Sequence, residues 1–308
     1  MRTFVLFAIC ITILIIYVLS QSKEFVLLKN NKHANKGEHV GHYHYNNYID
    51  LSRSRKPKIF VHIDNKSNAL TDICVKSLIR VFDDSHDIVL YDNETAKQLI
   101  GETNEKDLCN IQNPGLLQGV DLKQWENYIK AKILFTYGGT IMEPYFMFTK
   151  KPISSILKPT DLMILHHANE GLNVSSKPTI PWINYYMCAP KNNKNTLMYM
   201  KYMEHICINH YSEDHKHFDK TFEKLYSLKS IGSKYMGIID SQENVVRTEE
   251  LFQRKPIYFD DSAFCLFINV PMIKKQRKYG YVLNMNEEQL VTMNVFISEF
   301  INQNFELS

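Results

Sequence analysis

Leu122–Phe148 reads LKQWENYIKAKILFTYGGTIMEPYFMF. Trp125, Tyr128, Ile129 and Ile133 recur at three- and four-residue spacing, with Lys123, Glu126, Asn127 and Lys130 between them. That period predicts an amphipathic helix. Gly138 and Gly139 then supply a left-handed C-cap without the steric cost of a Cβ. Ile141 and Met142 re-enter a core as a very short strand, and Pro144 ends any ladder after Glu143. The order is helix, twin-glycine stop, short strand, acidic residue at a strand end.

Working outward, Lys58–Ile63 reads as a strand whose apolar residues alternate poorly, so it is expected to be buried on both faces. Thr71 is expected to cap a helix over Asp72–Phe82, with Ile73, Val75, Leu78, Ile79 and Phe82 as its apolar stripe. Ile88–Tyr91 is a second strand, and Asn93 is expected to cap a helix over Glu94–Ile100. Downstream, Leu162–Leu165 and Ile183–Met187 read as strands, and Asn195–Ile208 and His217–Lys229 as helices. Ile257–Phe259 and Leu266–Ile268 read as late strands, and Glu287–Asn302 as a closing helix. Early strand–helix alternation followed by mixed elements predicts an α/β domain with a mainly parallel central sheet flanked by helices. There is no internal repeat.

The quoted segment resembles the pattern S-D-x-x-R-x-x-x-L-y-x-y-G-G-x-x-x-D-x-D of glycosyltransferases with a sugar-binding DXD region. That group includes capsular-polysaccharide synthesis proteins and α-mannosyltransferase-like Golgi enzymes. Leu134, Phe135, Tyr137, Gly138 and Gly139 match its hydrophobic and glycine positions. Its helix aspartate corresponds to Asn127, its arginine to Lys130, and its two DXD aspartates to Glu143 and Tyr145. No aspartate in the chain stands two residues from another. The likeness extends upstream through the first strand, a helix with a central cysteine (Cys74) and a second strand followed by Asp92, spanning residues 57–190.

The resemblance implies a GT-A-like fold over residues 57–308 and transfer of a sugar from a nucleotide-sugar donor to a glycan or glycoprotein acceptor. It further implies a retaining outcome, Glu143 on a Mn²⁺ or Mg²⁺ ion, Lys130 on the phosphates and Asn127 on the donor sugar. Such transfer needs the diphosphate leaving group neutralised, and hard divalent cations with oxygen ligands commonly do this. Asparagine at 127 keeps hydrogen bonding to sugar hydroxyls, whereas lysine at 130 keeps charge but loses arginine's bidentate fork. Asn127 and Lys130 are three apart and share a helix face. His62 and Asp64 end the first strand, the edge at which open α/β sheets bind ligands, and with Gly138 and Gly139 they complete the expected nucleotide site. For each residue a plainer role stands beside this one: a surface acid for Glu143, a solvated helix face for Asn127 and Lys130, a loop for Asp64. Because the DXD is altered, a second reading is a non-catalytic relative that binds glycans or serves in an assembly. Asp240, Asp260 and Asp261 have no motif around them and read as loop acids, and His166-His167 as a polar strand end.

The chain has 308 residues, is 44% apolar and carries a net charge of +3. That is room for one large domain, and so small a charge without a basic, aromatic-interleaved stripe gives no argument for nucleic acid. Phe4–Leu19 is an apolar run after Arg2, short against the roughly 20 residues that span a bilayer. It reads either as the transmembrane helix of a signal-anchor within residues 1–22 or as a cleaved signal peptide. The first predicts a single-pass type II membrane protein of the Golgi or ER lumen, the second a secreted one. Residues 23–56, polar and carrying His33, His39, His42 and His44, read as a flexible stem. Sequons at Asn65, Asn93 and Asn173 fit the secretory route. Five cysteines follow the apolar run, so at most two disulfides can form, and buried thiols are the alternative. H-E-x-x-H, C-x-x-C, G-x-S-x-G, G-x-x-x-x-G-K-[ST] and G-x-G-x-x-G are all missing from the sequence, so the chemistries those spacings serve find no support in it.

Overall fold

The computed structural model describes residues 51, 54–63, 68–100, 120–166, 182–209 and 229–305. The N-terminal apolar run, most of the stem, Asp64, Asn65, Asn173, Cys109 and all but the last residue of the helix expected at 217–229 lie outside them. Among the described residues no helix is long and apolar enough to cross a membrane.

The first half alternates as expected: β1 (Lys58–His62), α1 (Ala69–Phe82), β2 (Asp87–Tyr91), α2 (Asn93–Ile100), α3 (Val120–Tyr137) and β3 (Gly139–Met142). Then come β4 (Phe146–Phe148), α4 (Ser154–Leu157), β5 (Met163–His166), β6 (Trp182–Ala189), α5 (Lys194–Asn209) and β7 (Lys229–Ile231). The chain ends with α6 (Thr248–Leu251), β8 (Cys265–Phe267), α7 (Val270–Lys275), a 3₁₀ turn at Gly280–Asn284, α8 (Glu287–Thr292) and α9 (Phe296–Asn304). Six strands form one sheet in the order β2-β1-β3-β6-β5-β7, and β4 pairs with β8 in a separate ribbon. β1 runs parallel to β2 and β3, β5 runs parallel to β7, and β6 is antiparallel to both its neighbours. The sheet is therefore mostly parallel, covered on both faces.

Side chains alternate between faces along each strand. Phe60, Val89, Tyr91 and Ile141 pack under α3 and α5 with Trp125, Tyr128, Ile133 and Tyr199. Ile59, Val61, Ile88 and Met142 face the other way, against α1 and the β4–β8 ribbon. A third cluster joins α1 to the C-terminal helices through Leu70, Ile73, Leu266, Ile297 and Ile301. Residues 59–62 of β1 are buried, as its poor alternation predicted.

Several expectations are corrected. Asn68, not Thr71, caps α1: its side chain accepts from Thr71 N, and Thr71 returns the bond to the Asn68 backbone. Asp92, not Asn93, caps α2, with its carboxylate 2.8 Å from Thr95 N and its own N–H on Thr95 Oγ1. Both caps are capping boxes set earlier in the chain than expected. Ile257–Phe259 joins no strand, and Tyr258 is exposed there. The closing helix is two helices, because the chain turns at residues 293–295. This turn lets Leu290 of α8 and Ile297 of α9 bury together, tied by Ser298 Oγ donating to Leu290 O. Lys229, expected to end a helix, begins β7.

Candidate nucleotide-sugar site

Parallel pairing lines up the last rung of three strands. His62 ends β1 opposite Tyr91, which ends β2. Val61 pairs with Met142, so Glu143, one step past β3, falls beside His62. Phe60 and Ile141 both face α3, and the two-residue period turns His62 and Glu143 to that same face.

The twin glycines decide what meets them. α3 ends at Tyr137, Gly138 and Gly139 reverse the chain at φ +68° and +99°, and β3 runs back under the helix. Lys130 lies eight residues before Gly138, about 12 Å along an α-helix. Glu143 lies four residues past Gly139, about 13 Å along a strand. The two are therefore level, and the Lys130 ammonium donates to Glu143 Oε1.

His62 completes the cluster. Its Nδ1 is 3.3 Å from Glu143 Oε2 and its Nε2 is 3.1 Å from Asn93 Oδ1. The Tyr91 ring stands 5.3 Å from the imidazole, and the Tyr91 hydroxyl is buried without a hydrogen-bond partner among the described residues. His62 and Glu143 are each 7% exposed, and Asn127 and Lys130 each 4%. Asn127 and Lys130 thus belong to the interior, and the solvated face weighed for them is excluded.

Burial alone would raise the Glu143 pKa, but Lys130 and His62 outweigh it and hold the carboxyl at about 2. Burial would likewise lower His62, and the charge and hydrogen bond of Glu143 more than offset that, so its pKa is raised. Burial pushes the Tyr91 phenol well up, helped by the Glu143 charge.

A small open groove of about 50 Å³ adjoins the cluster at Glu143, the one of His62, Lys130 and Glu143 that lies among its walls. Ile63, Asn68, Thr71, Asp72, Glu143, Tyr145 and Lys274 are among its walls. Tyr145, at the second DXD position, packs edge-on against Tyr185 with ring centres 5.2 Å apart.

The structure thus brings together His62, Lys130 and Glu143, with Asn127 one turn earlier on α3. It does not bring Gly138 and Gly139 to them. Those residues sit at the opposite end of β3, where a Cβ would meet Lys191 N at 2.5 Å and Lys58 O at 2.3 Å. Asn93, read from sequence only as a cap and sequon, is a member of the cluster. Lys274 carried no sequence signal at all. Asp240 and Asp260 tie their own loops: Asp240 Oδ1 accepts from Gln242 N and Asn244 N, and Asp260 pairs with Ser262 and with Lys234 at 2.8 Å.

A divalent cation of the kind implied for Glu143 does not fit these residues. Both carboxylate oxygens are engaged by nitrogen donors, and among the described residues no three His, Cys, Asp or Glu side chains are grouped to hold a metal.

No protein-family model matches the chain, and no curated protein matches it in sequence. Two solved glycosyltransferases superpose loosely. One, involved in glycosylating the major capsid of PBCV-1, is 10% identical, with a TM-score of 0.35 over 59% of this chain and 84% of its own. The other, apo GlyE of Streptococcus pneumoniae TIGR4, is 10% identical, with a TM-score of 0.34 over 58% of this chain and 46% of its own. Superpositions this loose carry no weight for function.

Proposed function

We propose that this chain is a GT-A-like glycosyltransferase that moves a sugar, with retention, from a nucleotide-sugar donor to a glycan or glycoprotein acceptor. The observation carrying the reading is the polar cluster His62–Glu143–Lys130, with Asn93 and Asn127, at the carboxyl edge of parallel strands β1 and β3. Ligands of open α/β sheets bind at that edge, and buried charge gathered in a cleft marks functional sites more often than chance. In this reading Lys130 and His62 face the diphosphate, the Asn127 amide orients the donor sugar, and Asp64 meets the ribose or base. The setting proposed is the secretory lumen, reached as a single-pass type II protein or by secretion after cleavage.

The second reading, a glycan-binding or assembly subunit without catalysis, is favoured by one observation: both oxygens of the Glu143 carboxylate are already engaged, one by Lys130 and one by His62. Incubating the purified chain with a panel of nucleotide sugars, while following hydrolysis and transfer, separates the two. Turnover of one donor is the expected outcome. Nucleoside diphosphate or glycan binding without turnover supports the second reading, and neither turnover nor binding removes both.

A further inference from the structure

The small net charge of the chain hides one local concentration. Lys274 and Lys275 close α7, Arg277 and Lys278 follow it, and all four are exposed. No aspartate or glutamate occurs from Ser262 to Asn286. Cations suit the carboxyl end of a helix, which accounts for Lys274 and Lys275. Arg277 and Lys278 lie beyond that end, and neither takes part in an ion pair among the described residues.

The neighbouring segment adds to them. Phe252 stacks on Tyr279 with ring centres 5.2 Å apart. That contact sets the exposed Arg254 and Lys255, two and three residues further on, beside the basic turn. Four acids are near. Glu249 accepts from the Gln276 amide, Asp72 shares the groove with Lys274, and Asp240 lies within electrostatic reach of Lys255. Glu250 caps its own helix on the Arg247 N–H. Counting Arg247, seven cations stand with these four acids, and the surplus sits at Lys275, Arg277 and Lys278. Tyr281, 50% exposed, follows directly. An exposed phenol presents an apolar ring face beside a polar tip.

Lys274 joins this surface to the candidate site, because it walls the same groove as Glu143. The basic turn thus begins at the margin of the polar cluster and continues outside the groove. We propose that it docks the acceptor, and that the acceptor is an anionic glycan carrying carboxylate or sulfate groups along its chain. A repeating acidic chain meets several cations at once, so contacts that are individually weak add up. The inference rests on the proposed glycosyl transfer and narrows its acceptor. A lipid surface or a nucleic acid shares the charge, but neither accounts for a basic turn that starts at a sugar-transfer groove.

Binding of the purified full chain to heparin, hyaluronan and neutral dextran tests it. The expected result is binding to heparin or hyaluronan and not to dextran, with affinity falling about tenfold when salt is tripled. Lys275→Glu with Arg277→Glu should weaken that binding about tenfold or more. Lys194→Glu with Lys201→Glu makes the same charge change at exposed positions of α5 and should alter it by less than about twofold. Equal weakening by the two pairs would show an effect of net charge alone and overturn the inference. Dextran binding as tight as that of the acidic chains overturns it too. So does tighter binding to phosphatidylserine vesicles or to a single-stranded oligothymidylate. Binding to none of the polysaccharides, with a nucleotide sugar still turned over, removes this acceptor and leaves the proposed function intact. Polysaccharide binding without turnover of any donor removes the acceptor role, and the inference with it.

Discussion

His62 Nε2 lies 3.1 Å from Asn93 Oδ1 while the other ring nitrogen faces the Glu143 carboxylate at 3.3 Å. A neutral imidazole donates from one nitrogen only, whereas an imidazolium donates from both. Two acceptors across one ring therefore select the charged form, consistent with the raised pKa of His62.

A pH dependence of stability follows. The folded pKa of His62 is above its ordinary 6.5, so its contribution is complete below about 6.5 and is lost as pH rises through the folded value. Glu143 acts in the opposite sense, falling from 4.5 to about 2, so its contribution is complete above about 4.5 and is lost as pH falls towards 2. The acid limb should amount to something of order 3 kcal/mol. Melting temperature against pH should show a plateau between the two limbs, and His62→Gln should flatten the alkaline one. An alkaline limb identical in wild type and His62→Gln would refute the assignment.

The Lys130–Glu143 pair should behave as a buried ion pair in mutagenesis. Removing one partner leaves an uncompensated buried charge, which costs about 3–5 kcal/mol, whereas replacing both by neutral groups is often close to neutral. Glu143→Gln alone, which strips Lys130 of its counter-ion, should thus be far more destabilising than Lys130→Met with Glu143→Gln. Urea denaturation of the two single variants and the double variant measures the coupling. Additive losses would mean that the two side chains do not share their charge in solution.

Much of this cluster was legible in sequence, and the reasons for the rest are physical. Lys130 and Glu143 could be singled out because the helix, the twin glycines and the short strand are local signals. Their pairing follows from two rises, one helical and one extended, counted from the same turn. The alignment of Tyr91, His62 and Glu143 is a property of strand register between segments tens of residues apart, which no local pattern carries. Asn93 was misread because asparagine suits a helix cap, yet the preceding Asp92 takes the Thr95 N–H and leaves the Asn93 carboxamide to face His62. Ile257–Phe259 has the composition of a strand, but strand formation needs a partner edge, and none of the described residues supplies one.

The cysteines give a separate prediction. Cys74, Cys188, Cys207 and Cys265 are buried thiols, which favours the thiol alternative over disulfides for these four. Burial pushes Cys188 up to about 12 and raises Cys74 and Cys265 as well. Thiolate, the reactive form, is therefore scarce at neutral pH. Native protein should leave these four unmodified by an aromatic disulfide reagent, and all four should react once urea unfolds the chain. Dithiothreitol should not shift the melting temperature, and a fall of several degrees on reduction would show that a bridge exists among them.

Gly139 tests whether the turn sets the site. Its φ of +99° strains any L side chain, and a Cβ there would meet Lys58 O, a backbone atom that cannot swing aside, at 2.3 Å. Gly139→Ala should cost about 3 kcal/mol or more by combining strain with the clash. Gly232 makes a fair control, since its Cβ would meet only the Tyr235 ring at 3.4 Å. Because Gly138 and Gly139 bring α3 back over β3, the damage should travel to the cluster some 12 Å away. The His62 titration, followed by its ring-proton resonance, should shift towards the ordinary 6.5 in a folded Gly139→Ala protein and stay put in Gly232→Ala. An unchanged His62 titration in folded Gly139→Ala would mean that strand pairing alone, and not the turn, holds Lys130 level with Glu143.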